Sequence, residues 1–194
     1  MAEQFPVTGN LITERLMLRW LIEDDVDDVH AWMSDPQVAR FQGYEPRSRE
    51  QVSTIVGEIA ASRTLDRTGD FVELGIELPA DRASRSRVVG SIYFSITNAD
   101  ERTAQIGWTV GRAFQGRGYA AEAARAVLDA AFSTLGLHRV FAELDPRNLP
   151  SIALCGRLGM RREALFIESM WLKGEWVDSA VYATLDREWQ HETA

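Results

Sequence analysis

A single cysteine, Cys155, leaves the chain without a partner for an internal disulfide and without a cysteine-based zinc site. Histidine is nearly as scarce, and His30, His138 and His191 are scattered, so no metal centre is expected. No apolar run approaches the roughly 18 residues needed for a membrane-spanning helix. The opening Met-Ala-Glu-Gln-Phe-Pro lacks the basic-then-apolar order of a signal peptide, so the expectation is a cytoplasmic protein with no membrane partner. Positive charge is also in short supply. Lys and Arg number 21 against 29 Asp and Glu, and the net charge of −8 argues against a nucleic-acid partner, which calls for a basic footprint. The same surplus suits a cationic substrate such as an amine or a basic peptide, although solubility explains it equally well. Internal repeats, low-complexity tracts and linkers are missing as well. With 194 residues, the chain reads as one well-cored domain over 1–194, with a core at about 11–189.

What is present has a readable order. Residues 1–10 read as a loose arm. Leu11 to Ile22 reads as a first strand, with Leu16, Leu18 and Trp20 alternating against Arg15, Met17 and Arg19. Asp24 and Asp25 start a helix whose apolar face is Val26, Val29, His30 and Met33, and Asp35-Pro36 ends it. Ser48 caps a second helix running to Arg63, with Val52, Ile55, Val56 and Ile59 on one face. Phe71–Leu78, Val88–Thr97 and Thr103–Val110 read as strands joined by polar loops, an antiparallel meander. An alanine-rich helix from about Tyr119 to Leu135 follows, its polar stripe being Glu122, Arg125, Asp129 and Ser133. A strand at His138–Leu144, a short helix between Pro150 and Gly159, and a hairpin of Arg162–Met170 with Trp176–Leu185 complete the chain.

The meander, the loop and the long helix meet at Gln115-Gly-Arg-Gly-Tyr-Ala120. Gly116 and Gly118 let backbone N–H groups approach a bound group without a Cβ in the way. The helix that follows offers unpaired N–H donors and a positive dipole end, so the site suits a diphosphate. Two readings compete here. Gly116-x-Gly118-x-x-Ala121, with Glu143 about 20 residues on, also satisfies the dinucleotide fingerprint. That fingerprint wants its first glycine directly off a strand of a parallel unit, whereas Arg112-Ala-Phe-Gln115 intervenes and an antiparallel meander precedes it. Too few residues follow Glu143 to finish a doubly wound domain.

The loop resembles the pyrophosphate-binding segment of the GCN5-related N-acetyltransferase (GNAT) superfamily, Gln/Arg-x-x-Gly-x-Gly/Ala. Thr13-Glu-Arg-Leu-x-Leu-Arg19 and Trp32-x-x-Asp-Pro-x-Val38 resemble the opening of its ribosomal-protein N-terminal acetyltransferase (RimJ/RimL-type) branch. Asn148-x-x-Ser151-x-x-Leu154-x-x-x-Leu158-Gly-Met160 resembles the family's second cofactor segment. The element order matches over about residues 11–189. The resemblance implies an α/β (α+β) fold with a mixed, mainly antiparallel central sheet flanked by helices. It also implies acetyl-CoA as acyl donor and transfer to a primary amine, with a peptide N-terminal α-amine first and a small amine second. A catalytically silent acyl-CoA-binding module is the reading from another class. Relatives are often dimers, so a homodimer is one assembly the resemblance allows.

Site roles carry over residue by residue. Gln115, Gly116, Arg117, Gly118, Tyr119 and Ala120 would hold the diphosphate. The end of the Thr103–Val110 strand would splay from the next strand, and the backbone N–H near Val110 would polarise the thioester carbonyl. Asn148 would sit beside the coenzyme, and it also reads as a helix N-cap. Ser151 is the favoured group for the departing thiolate. Cys155 stands where many relatives have a tyrosine acid, although a cysteine in such a place is more often a small buried hydrophobe than a catalyst. Glu143 matches a catalytic glutamate in one N-terminal acetyltransferase relative and also reads as a solvent-facing carboxylate. Glu73 and Glu168 are further carboxylates that could support the site.

Overall fold

Period-two alternation buries Val72, Leu74 and Ile76 on one side of strand Phe71–Leu78 and turns Glu73 to the other. The same logic, strand after strand, builds the sheet in the computed structural model, which describes residues 10–61, 64–80 and 84–192. Eight strands take part: β1 (Leu11–Ile12), β2 (Met17–Trp20), β3 (Phe71–Leu78), β4 (Arg87–Asn98), β5 (Thr103–Val110), β6 (Arg139–Leu144), β7 (Arg161–Leu172) and β8 (Glu175–Leu185). Their order across the sheet is β1-β2-β3-β4-β5-β6-β8-β7. Every neighbouring pair is antiparallel except β5 and β6. The mixed, mainly antiparallel sheet is therefore as expected. A parallel pair needs a crossover, which here is helix α4 (Tyr119–Ser133).

Helices cover both faces. Ala123, Ala124, Val127, Leu128 and Ala131 of α4 pack with Leu154, Cys155 and Leu158, at the end of helix α5 (Leu149–Arg157), on Leu74, Ile92, Phe94 and Ile106. On the other face α1 (Val26–Met33) and α3 (Arg49–Ala61) bury Val26, Val29, Trp32, Met33, Val52, Val56 and Ile59 with Val88. Between them lies the short α2 (Pro36–Ala39). Ser48 caps α3 reciprocally: its Oγ accepts from the Gln51 N–H while Gln51 Oε1 accepts from the Ser48 N–H. Helix α6 (Asp186–Glu192), which the sequence reading did not foresee, lays Trp189 against Phe132, and the Trp189 indole donates to Asp129 on the α4 polar stripe at 2.7 Å.

Four expectations need correction or limits. Leu11–Ile22 is not one strand: the chain turns at Thr13–Leu16, and β1 folds back on β2. Within β2, Arg19 reaches Asp25 at 2.7 Å and also pairs with Glu77, tying β2 to β3 and to the turn that starts α1. Trp32, not His30, completes the buried face of α1, because 3.6-residue periodicity places it beside Val29 and Met33. The loose arm falls on residues that lie, but for residue 10, outside the described ones, as does Arg63 at the expected end of the second helix.

Candidate active site

β5 and β6 pair only at Thr103–Arg139, Ala104–Val140 and Gln105–Phe141, then part. From Ile106 to Val110, β5 keeps β4 on one side and has an open notch on the other. Gly111 donates to Val89 of β4, so by strand alternation the Val110 amide and carbonyl point into the notch. The Gln115 side-chain amide caps that carbonyl at 2.9 Å and curls the loop back over the strand end.

The loop does what its glycines predict. Gly116 and Gly118 have φ of +75° and +83°, the left-handed region that other residues enter at a cost. Gly118 is the N-cap of α4, so the first-turn N–H groups of that helix face the loop without intrahelical partners. A cavity of about 500 Å³ lies over this end of the sheet. Val110, Gln115, Gly116, Gly118, Tyr119, Ala120, Asn148 and Ser151 line it, which brings together all but one of the expected coenzyme residues. Arg117 is the exception: its guanidinium stacks towards Phe114 and its side lines a groove with Ile12–Met17.

A strap from the β1–β2 turn holds the loop, a feature that sequence reading missed. Glu122, in the first turn of α4, accepts from Thr13 Oγ1 at 2.5 Å and from the Arg15 N–H at 2.8 Å. The Arg15 guanidinium reaches Glu122 at 2.6 Å and the Arg117 carbonyl at 3.0 Å, over the Tyr119 ring. Burial pushes against ionisation of Glu122, but these bonds outweigh it and hold its carboxyl below the ordinary range. Asp35 makes a second tie. One oxygen caps α2 at the Gln37 N–H and the other takes Arg112 at 2.9 Å, so the Trp32-x-x-Asp-Pro motif fixes the α1–α2 corner to the end of β5.

The α5 candidates separate cleanly. Asn148 is an N-cap, accepting from the Ser151 N–H at 3.3 Å, and it lines the cavity, so both of its readings hold together. Ser151 Oγ accepts from the Trp108 indole at 3.1 Å. Because an indole can only donate, the serine's own proton is left to donate elsewhere. Cys155, one turn on, is fully buried in the α4–α5 core and does not line the cavity; burial pushes its thiol up to about 12. Glu143 is exposed on β6, past the point where β5 leaves it, and accepts from Ser179 Oγ at 2.5 Å. Glu168 lies exposed in the β7 bulge, with its N–H on Asp178, away from both β5 and the cavity.

A second cavity, of about 340 Å³, opens on the α1–α3 face of the sheet. Trp32, Tyr44, Arg47, Glu73, Ser91 and Tyr93 line it. It shares Gln42, Trp108 and Thr109 with the first, so the two meet at the end of β5. Glu73 accepts from Ser91 Oγ at 2.6 Å; burial raises its carboxyl above the ordinary value near 4.5, and that hydrogen bond only partly opposes the rise.

A family model described as the acetyltransferase (GNAT) domain matches residues 15–161. The chain is 31% identical over 180 residues to YnaD of Bacillus subtilis (strain 168), an uncharacterized N-acetyltransferase, covering 93% of this chain and 99% of that one. It is 27% identical over 103 residues to the [ribosomal protein uS5]-alanine N-acetyltransferase of Escherichia coli (strain K12), covering 53% of each. Among solved structures, the GNAT-family acetyltransferase of Bacillus anthracis superposes with a TM-score of 0.80 at 28% identity, over 92% of this chain and 99% of that one.

Proposed function

The chain belongs to the GNAT acetyltransferases and is an N-acetyltransferase; from that premise we propose that it moves the acetyl group of acetyl-CoA onto an α-amine. The observation that carries the reading is the notch beside β5, closed at one end by a positive-φ glycine loop and a helix N-terminus. The residues present fit coenzyme A. The loop and first-turn N–H groups of α4 bind the diphosphate, and the open β5 edge pairs with the amide-bearing arm. Bound there, acetyl-CoA supplies an activated acetyl thioester.

The chain's own groups supply the rest. The Val110 N–H stabilises the carbonyl oxygen as negative charge grows on it. The Ser151 O–H, its lone pair already engaged by Trp108, donates towards the departing sulfur. A carboxylate takes the amine's proton, and the C–N bond forms as the C–S bond breaks. Glu143, on β6 past its last pairing with β5, and Glu73, inside the second cavity, are the two candidates for that carboxylate. An α-amine near pKa 8 is about a tenth neutral at pH 7, whereas a lysine near 10.4 is below about a thousandth, so the α-amine demands the weaker base. The ribosomal-protein relative and the resemblance of the opening motifs support a peptide α-amine, and a small-molecule amine is the second reading.

The test is thiol release from acetyl-CoA with an amine panel across pH. A peptide α-amine acceptor gives a rate that rises through about pH 8 and levels off; a lysine or polyamine acceptor gives one still climbing towards about pH 10. Coenzyme binding with no thiol release from any amine would refute transfer and leave a silent acyl-CoA-binding module.

A further inference from the structure

Among the described residues, three side-chain polar atoms are buried without a hydrogen-bond partner: Trp32 Nε1, Tyr44 Oη and Arg47 Nε. All three belong to residues lining the second cavity, Trp32 on α1 and Tyr44 and Arg47 on the segment that leads into α3. A buried donor without a partner is costly, and three on residues around one void point to a bound group that completes them.

Their chemistry is one-sided. An indole N–H and a guanidinium N–H only donate. The Tyr44 phenol, with its pKa raised first by burial and then by the charge of Glu73, keeps its proton and donates too. A ligand that completes these bonds, once the side chains turn towards it, presents acceptor oxygens. Arg47 is a permanent cation with no ion-pair partner among the described residues, although its guanidinium lies over the Tyr44 ring at 5.7 Å. The cavity also contains the opposite charge, on Glu73 of β3, whose partner is the neutral Ser91. A cation and an anion line the same small cavity and do not pair with each other. Complementarity asks for a molecule with a cationic end for Glu73 and an anionic end for Arg47.

Resting on the acetyltransferase reading, we propose that this cavity is the acceptor site and that it takes an amine bearing a carboxylate, an amino-acid-like zwitterion. The carboxylate is held by Arg47, Trp32 and Tyr44, and the ammonium by Glu73. The volume suits a ligand of that size. Its junction with the coenzyme cavity at Gln42, Trp108 and Thr109 puts the amine on the side from which β5 is reached. A polyamine would leave the three donors unsatisfied and place positive charge against Arg47. A peptide N-terminus would offer a neutral carbonyl and leave the Arg47 charge uncompensated, so this cavity favours the small-molecule acceptor over the peptide one.

The experiment is a thiol-release assay on the full chain with acetyl-CoA and the twenty common L-amino acids. Each is set beside its carboxamide, its decarboxylated amine and a short peptide that it begins. At least one free amino acid should be used with kcat/KM at least about tenfold above its carboxamide and its amine. Arg47→Met should raise KM for that amino acid at least about tenfold and erase the preference over the carboxamide, with coenzyme affinity unchanged. Tyr44→Phe, which removes only a hydroxyl, should move KM the same way by a smaller factor and covers the case in which Arg47→Met does not fold. Amides, peptides or polyamines used as well as the free acids would overturn the zwitterion assignment while leaving acetyl transfer standing. No turnover of any amine would overturn both.

Discussion

Replacing Gly118 by valine tests the loop at its tightest point. With φ at +83°, this backbone is one that a β-branched residue occupies only under strain, at about 1–2 kcal/mol for an ordinary L-residue. Space is short as well. A Cβ at Gly118 would come 3.3 Å from Arg15 Nη2, and that guanidinium cannot simply swing away because Glu122 and the Arg117 carbonyl hold it at 2.6 and 3.0 Å. The cost has two places to appear. If the loop keeps its shape, folding bears it, and melting falls by about 2–8 °C for a chain of this size. If the loop relaxes, the α4 N–H groups lose their aim, and 1–2 kcal/mol becomes an affinity loss of about 5–30-fold. Calorimetric titration with CoA and thermal melts on the same samples measure both, and together they should account for at least about 1 kcal/mol. Gly116→Ala is the control: φ is +75° but no atom lies within 4 Å of the new methyl, so only the backbone contribution remains. If Gly118→Val changes neither melting nor CoA affinity, the loop is not built around this glycine and the coenzyme site lies elsewhere.

Two further tests address groups whose settings differ sharply. Ser151→Ala should lower kcat with little change in stability, whereas Cys155→Ala should cost about 1–2 kcal/mol in a denaturant melt and leave kcat near its starting value. Lost turnover in Cys155→Ala at unchanged stability would reverse the assignment. Glu73→Gln should become more stable relative to the unsubstituted protein as pH rises. The folded-state pKa of Glu73 lies above its unfolded value near 4.5, so the native state binds the extra proton and stability is lost as pH climbs past that value. Melts of both proteins at about pH 4.5 and pH 8 should show the gap widening towards pH 8, and a gap that is constant would show that burial does not perturb this carboxyl.

Local patterns alone determined much of this protein. Strict alternation marks Phe71–Leu78 as a strand with one dry face, alanine-rich periodicity marks α4, and Gln115-x-x-Gly118-x-Ala120 announces an anion loop before any contact is known. These are legible because each depends on residues within a turn or a pleat of one another. The second cavity is not legible in that way. Trp32, Arg47, Glu73 and Ser91 stand on separate segments, and only the packing of α1 and α3 across β3 and β4 makes them neighbours. The Arg15–Glu122 strap spans 107 residues and Arg112–Asp35 spans 77, distances over which no sequence period operates. Alternation sets Arg19 against the apolar residues of its strand but names no partner for it; the turn carrying Asp25 folds over it and provides one. Cys155 and Ser151 share a helix face by spacing, but the α4–α5 packing decides their roles. It sinks the thiol into the core and leaves the hydroxyl, held by Trp108 from a strand 43 residues away, at the cavity wall.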